Sequence, residues 1–173
     1  MSGLLPGQKF PTIDLPRVGG GRIDNSIFAN AKLTILNSYR GLHCPRCKRQ
    51  LQDFLAHLPE FREYDAQIVT FSTDTPERAA QAAEEWELGE IAVGHSLTLD
   101  QARALGLFVS QPVQDSEPRP FAEPAVFIVE QDGTLWGSVT GTSPFIRPTA
   151  EQLLDAIKVK TDRSYPARGG LAA

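Results

Sequence analysis

Cys44 and Cys47, the only two cysteines in the chain, are separated by two residues where a strand pattern gives way to a helix pattern. Lys32 to Tyr39 reads K-L-T-I-L-N-S-Y, a run of β-branched and apolar residues that predicts a buried strand. Gly41 to Pro45 break it. From Cys44 onward the period turns helical, with Cys47, Leu51, Phe54, Leu55 and Leu58 on one stripe and Pro59 at or just past the helix end. A bridge across so short a loop constrains almost nothing in the unfolded state. The chain must therefore fold on an apolar core, and 173 residues at 41% hydrophobic supply one domain's worth.

The flanking segments predict the architecture. Residues 3 to 24 are rich in Gly and Pro and read as two extended pieces joined by a turn at Gly19-Gly20-Gly21. Ala66 to Ser72 is a second strand. Thr75-Pro76-Glu77 opens a helix, with Thr75 as cap, Pro76 in the first turn and Glu77 at the positive end of the dipole. Val93 to Leu99 reads as extended, Asp100 to Leu105 as a short helix, and 107–123, with its three prolines, as a long loop. Ala125 to Val129, the Asp132-Gly133 turn and Thr134 to Thr140 form a hairpin. Thr149 caps a last helix with a stripe at Ala150, Leu153, Leu154 and Ile157. Residues 1–160 are thus expected to form a single domain and 161–173 a loosely held tail. The fold class is α/β, a central mixed sheet with helices on both faces.

The chemistry concentrates around the cysteines. Cys44 falls at the N-cap or first turn of its helix, where unpaired N–H groups and the positive dipole end favour an anion. Arg40, Arg46, Lys48 and Arg49 place four cations within ten residues, beside His43, in a chain whose formal net charge is −4. A thiol so placed ionises near neutral pH. Cys47 lies one turn on and shares the apolar stripe, so it is expected to be the deeper of the two. Cys44 is then the attacking thiolate, and Cys47 resolves the mixed disulfide or sulfenic acid formed on it.

A C-x-x-C opening a helix directly after a strand, in a β-α-β setting, resembles the thioredoxin superfamily. Within it the chain is similar, over about residues 3 to 160, to the peroxiredoxin-like AhpC/TSA family (alkyl hydroperoxide reductase/thiol-specific antioxidant). Gly7 with Phe10-Pro11-Thr12-Ile13-Asp14-Leu15 resembles the family's opening. Leu33 to Tyr39 with the C-P-x-C helix matches its central strand and active-site helix. Leu99-Asp100 with Ala104-Leu105-Gly106-Leu107, and Pro124 to Val129 with Asp132-Gly133, resemble two later segments. The departures bear on mechanism. The family's P-x-x-x-T-x-x-C carries Asn37 and Gly41 here in place of Pro and Thr, and Pro124 occupies the place of the peroxide-orienting Arg. Arg40 and Arg119 are the candidates to substitute for that Arg. Pro124 instead resembles the cis-proline that thioredoxins set opposite the C-x-x-C, an arrangement that would leave the Glu123 backbone free to pair with an extended substrate. Arg46 between the cysteines favours reduced Cys44 and a potential above thioredoxin's ~−270 mV.

The resemblance implies a thiol-dependent oxidoreductase acting on a disulfide or peroxide. Its electrons come from a thioredoxin- or glutathione-type reductant; no cofactor is implied, and a homodimer is an open alternative. Site residues are then Cys44, Cys47, Pro124, Arg40, His43 and Arg46. A pI of about 5.4 speaks against a nucleic-acid partner. No run approaches the ~20 apolar residues of a membrane span. The N-terminus lacks a charged start followed by an apolar run, so a cytoplasmic setting is expected. Three rivals remain: a true peroxidase, a thiol sensor or interaction module, and a zinc module. The last needs four ligands, and only His43, His57 and His95 remain to join the cysteines.

Overall fold

The computed structural model describes residues 4–171. Two short strands, β1 (Asp14–Pro16) and β2 (Arg22–Asp24), pair antiparallel, with the Gly19-Gly20-Gly21 turn between them at positive φ. A 3-10 turn (Asn25–Asn30) leads into β3 (Leu33–Ser38), all of whose residues are buried. Then come α1 (Pro45–Ala56), α2 (Leu58–Glu63), β4 (Ala66–Phe71), α3 (Pro76–Glu85), β5 (Ala92–Gly94) and α4 (Leu99–Ala104). The two-residue strands β6 (Val109–Ser110) and β7 (Phe121–Ala122) pair with each other. The chain continues with β8 (Ala125–Glu130), β9 (Leu135–Thr140) and α5 (Ala150–Arg163).

The central sheet runs β5-β4-β3-β8-β9. β3 pairs parallel with β4 and antiparallel with β8, so it lies mid-sheet with both edges paired, and packed layers cover it on both faces. That is why its sequence reads as an unbroken buried run. On one face Ile35, Ile68, Val93, Val126 and Ile128 meet the apolar stripes of α1, α2, α3 and α5. On the other, Leu36, Val69, Phe71, Phe127 and Val129 meet the N-terminal strands, the 3-10 turn and α4. Helices therefore flank both faces, unequally. Every aromatic ring fully buried here contributes roughly 1.5–3 kcal/mol from area alone, and Phe54, Phe61 and Phe71 are all at 0% exposure.

The structure amends three expectations. Pro59 does fall just past the end of α1, but Leu58, expected on the α1 stripe, opens a second helix in which Pro59 sits in the first turn, where its missing N–H is harmless. The 107–123 segment is not structureless, since β6 and β7 close its base. Residues 161–163 belong to α5, and the chain beyond folds back so that the Trp136 indole donates to the Tyr165 carbonyl at 2.9 Å. Thr75, Thr98 and Thr149 all cap helices, the last two through reciprocal bonds with Gln101 and Gln152.

Candidate active site

α1 begins where β3 ends, and the chain between them makes a tight turn over residues 39–43. Gly41 has φ +140°, a conformation that L side chains rarely adopt, and a Cβ there would stand 2.9 Å from an Asp74 oxygen. Asp74 is buried and holds the turn, accepting from the Leu42 N–H at 2.7 Å and from Arg78 Nε at 3.1 Å. The turn delivers Cys44 to the N-cap of α1 with Pro45 as the first helical residue. Cys44 Sγ does the work usually left to a Ser or Asp oxygen: it accepts from the Cys47 N–H at 3.3 Å.

Cys47 lies one turn deeper, with no exposure, and Cys44 is 2% exposed. The Cys47 sulfur receives the Arg40 backbone N–H at 3.3 Å and Arg147 Nη1 at 3.2 Å. Nη2 of the same guanidinium stands 3.5 Å from Cys44 Sγ. Arg147 thus spans both sulfurs. Its own position is fixed from behind, by Nε donating to the Pro144 carbonyl at 2.8 Å and Nη1 to Gln50 Oε1 at 3.3 Å. Gln50 is buried and in turn donates to the Pro148 carbonyl at 3.0 Å. Asp53 of α1 accepts the Ala150 N–H at 2.7 Å, tying the start of α5 to α1.

These contacts split the two thiols. The hydrogen bond from the Cys47 thiol holds Cys44 well below the ordinary thiol range, to about 5. Arg147, the Cys47 backbone N–H and Arg40 add to that bond, against the opposing cost of burial. Cys47 moves the other way: burial first, then its bond to Cys44 and the charge on that sulfur, push its thiol far up. The pair is a thiolate beside a thiol.

The remaining sequence candidates divide. Arg40 belongs to the site through its backbone N–H on Cys47 and, without touching either sulfur, through its charge. Its guanidinium faces the other way, 3.1 Å from Glu117, 3.2 Å from Glu123 and 4.5 Å from the centre of the Phe121 ring. Glu117 and Glu123 are both buried, and Glu117 also accepts the Val113 and Gln114 N–H groups. The ion pair therefore pins the 107–123 segment beside the cysteines. His43 neither bonds to Cys44 nor adds charge. Its ring packs at 4.9 Å on Phe121 with both nitrogens buried and unbonded, and burial with Arg40 nearby lowers its pKa. Arg46 is exposed and lies over the Phe145 ring at 4.9 Å rather than on Cys44. Pro124 is trans, since the described residues contain no cis peptide bond. The Glu123 N–H, which a cis-proline arrangement would leave free, is already given to the Phe108 carbonyl at 2.8 Å. Arg119 makes no bond to either sulfur among those of the described residues.

Arg147 is the residue that sequence reading missed. Its one local signal is its place, an Arg between hairpin and helix in Ser143-Pro144-Phe145-Ile146-Arg147-Pro148-Thr149, where the closing connection of such a sheet returns to the end of β3 that carries the cysteines. Among the described residues, no group of three or more His, Cys, Asp or Glu is placed to hold a metal ion. Among the described residues, no helix is long and apolar enough to cross a membrane.

Comparison with known proteins places this geometry. The model of the AhpC/TSA family matches residues 6–137. No curated protein matches the sequence. Among solved structures, the peroxidoxin BcpB from Mycobacterium tuberculosis is 18% identical with a TM-score of 0.73, covering 90% of this chain and 97% of that one. AhpC from Enterococcus faecalis is 18% identical with a TM-score of 0.75 and 99% coverage of both chains. A cysteine-to-serine variant of the peroxiredoxin 6 of Arenicola marina is 17% identical with a TM-score of 0.80, over 94% of this chain and 76% of that one. At these identities the likeness is one of fold.

Proposed function

The chain belongs to the AhpC/TSA family, and from that premise we propose that it is a thiol–disulfide oxidoreductase whose redox centre is the Cys44–Cys47 pair. The observation that carries the reading is the Arg147 guanidinium spanning a thiolate at a helix N-cap and a buried thiol one turn below it. The Cys44 thiolate attacks one sulfur of a substrate disulfide, forms a mixed disulfide and expels the other half as a thiolate. Cys47 then loses its proton, attacks Cys44 Sγ and releases the rest of the substrate as a second thiolate. The oxidised pair is returned to the dithiol by a thioredoxin- or glutathione-type reductant, in the cytoplasmic setting expected from the sequence.

One observation favours a second reading, reduction of peroxide. Arg147 Nη2 at 3.5 Å from Cys44 Sγ supplies a cation where the family's Arg is replaced by Pro124. There the thiolate attacks the O–O bond, the distal oxygen stays on Cys44 as sulfenic acid, and an alcohol or water leaves after taking up a proton. Cys47 condenses with the sulfenic acid to give the disulfide and water.

The test is to mix fully reduced protein separately with a small aromatic disulfide and with hydrogen peroxide. Disulfide formation is followed by mass and by tryptophan fluorescence. Reaction with the disulfide orders of magnitude faster than free cysteine, with a peroxide rate near that of free cysteine, is the expected result. A peroxide rate orders of magnitude above free cysteine would replace the first reading by the second. Rates like free cysteine's in both arms would overturn both.

A further inference from the structure

On the solvent side of Arg147 lies a groove of about 400 Å³ lined by Arg46, Arg49, Gln50, Phe145, Arg147 and Thr149, among others. Three arginines line it. None of the three has a carboxylate within salt-bridge distance among the described residues. Asp53, the acid in the groove wall, is already committed to the Ala150 N–H at 2.7 Å and lies 3.4 Å from His57. Acidic residues outnumber basic ones in this chain, 21 to 17, so a hollow lined by three arginines against the single carboxylate of Asp53 stands against the background. The ring of Phe145 is 68% exposed on its rim.

Arg147 belongs to both the groove and the sulfurs. In the dithiol its guanidinium is held by the Cys44 thiolate. A Cys44–Cys47 disulfide carries no charge, so oxidation removes that anion and leaves Arg147 with the neutral partners Pro144 O and Gln50 Oε1. The groove is then at its most positive, and Arg147 on its wall, whose Nη2 stands 3.5 Å from Cys44 Sγ in the dithiol, links it to the sulfur that an incoming thiolate must attack.

We propose that this groove binds a small anionic thiol, a peptide-like molecule bearing carboxylates such as glutathione, and that it does so in the oxidised protein. The inference rests on the redox reading above and names the reductant's class. Carboxylates pair with Arg46 and Arg49, and the thiolate is drawn to Cys44 by Arg147. The first thiolate attacks Cys44 Sγ and breaks the Cys44–Cys47 bond. Cys47 leaves as thiolate and takes up a proton. A second thiolate attacks the bound molecule's sulfur, giving its symmetrical disulfide and the Cys44 thiolate, which Arg147 takes back. Two thiols are oxidised as one protein disulfide is reduced.

The experiment compares reduction of the isolated disulfide form by glutathione and by glutathione diethyl ester, whose carboxylates are blocked. Expected is a glutathione rate that saturates and exceeds the ester rate about tenfold or more, one lost charge-assisted contact being worth a factor of that order. Arg49→Gln should cut the glutathione rate several-fold, whereas Lys158→Gln, an exposed cation elsewhere on the surface, should leave it unchanged. Equal, non-saturating rates for the two reagents would overturn the groove assignment. Titration of the oxidised protein with glutathione sulfonate, which cannot exchange thiols, reads the groove without any redox step. Saturable binding that is lost in Arg49→Gln supports the assignment even if the disulfide turns over on nothing, and no binding overturns it even if the redox cycle runs normally.

Discussion

Arg147 follows Cys47 by one hundred residues, yet its Nη1 stands 3.2 Å from that sulfur and its Nη2 3.5 Å from Cys44. A single planar fork therefore bridges the two ends of one helical turn. Lysine offers a point charge and cannot bridge in this way.

Arg147→Leu is expected to raise the Cys44 pKa from about 5 by roughly one unit or more, since a cation at this range typically accounts for 1–3. Arg147→Lys should recover part of the shift. Alkylation rates with iodoacetamide across pH give the titration midpoint directly. An unmoved midpoint in Arg147→Leu would remove Arg147 from the account of Cys44 ionisation.

Stability of the reduced protein should depend on pH in a definite direction. The Cys44 thiol titrates near 5 when folded, against an ordinary value of 9.0. Between those values the unfolded chain holds a proton that the folded one has released, so stability from this group rises with pH through that window and vanishes below about 5. Cys47, pushed upward, opposes this only above the ordinary thiol range. The difference in Tm between reduced wild type and Cys44→Ser, which keeps a capping side chain, should therefore widen from pH 5.5 to 8 by an amount on the order of several degrees. A difference that stays flat or narrows would mean that Cys44 folds as a neutral thiol.

A thiolate stabilised in the reduced state makes its disulfide a better oxidant. The Cys44–Cys47 couple is expected to have a reduction potential above thioredoxin's, ~−270 mV. Equilibration in graded glutathione buffers, with alkylation and mass analysis, measures it. A value at or below thioredoxin's contradicts the expectation.

The two cysteines should be separable by substitution. Cys44→Ser is expected to abolish turnover, and Cys47→Ser to leave a trappable mixed disulfide or sulfenic acid on Cys44. Mass spectrometry after a single exposure to substrate distinguishes them. If Cys47→Ser alone erased the first thiol reaction, the two roles would be exchanged.

Gly41→Ala should destabilise the fold by about 1–3 kcal/mol, the usual cost of holding an L side chain in such a backbone. The new Cβ would meet Asp74, which cannot yield without releasing the Leu42 N–H and Arg78. Urea denaturation reads the loss, and a change under 0.5 kcal/mol would show that the turn relaxes freely.

What was legible in the sequence is what short-range periodicity encodes. The strand up to Tyr39, the helix from Pro45, the capping threonines and the Asp132-Gly133 hairpin all announce themselves within a few residues. The deeper placement of Cys47 followed from its place on the stripe. What stayed hidden was charge pairing across the chain. Arg40 and Arg46 looked alike beside the cysteines, but one is clamped by Glu117 and Glu123 from a distant segment and the other stacks on Phe145. Glu117 in a proline-rich stretch reads as solvated, and its burial depends on a partner 77 residues away. His43 stands next to Cys44 in sequence, and adjacency does not report that Phe121 covers its ring.

The distance along the chain between Cys44 and Arg147 also orders events during synthesis. The C-P-x-C helix and the strands around it leave the ribosome well before residue 147. Until the hairpin closes and the Asp53–Ala150 tie forms, Cys44 lacks the Arg147 guanidinium and the share of its acidity that this cation supplies. The last share of that acidity therefore waits on a segment made a hundred residues after the cysteines.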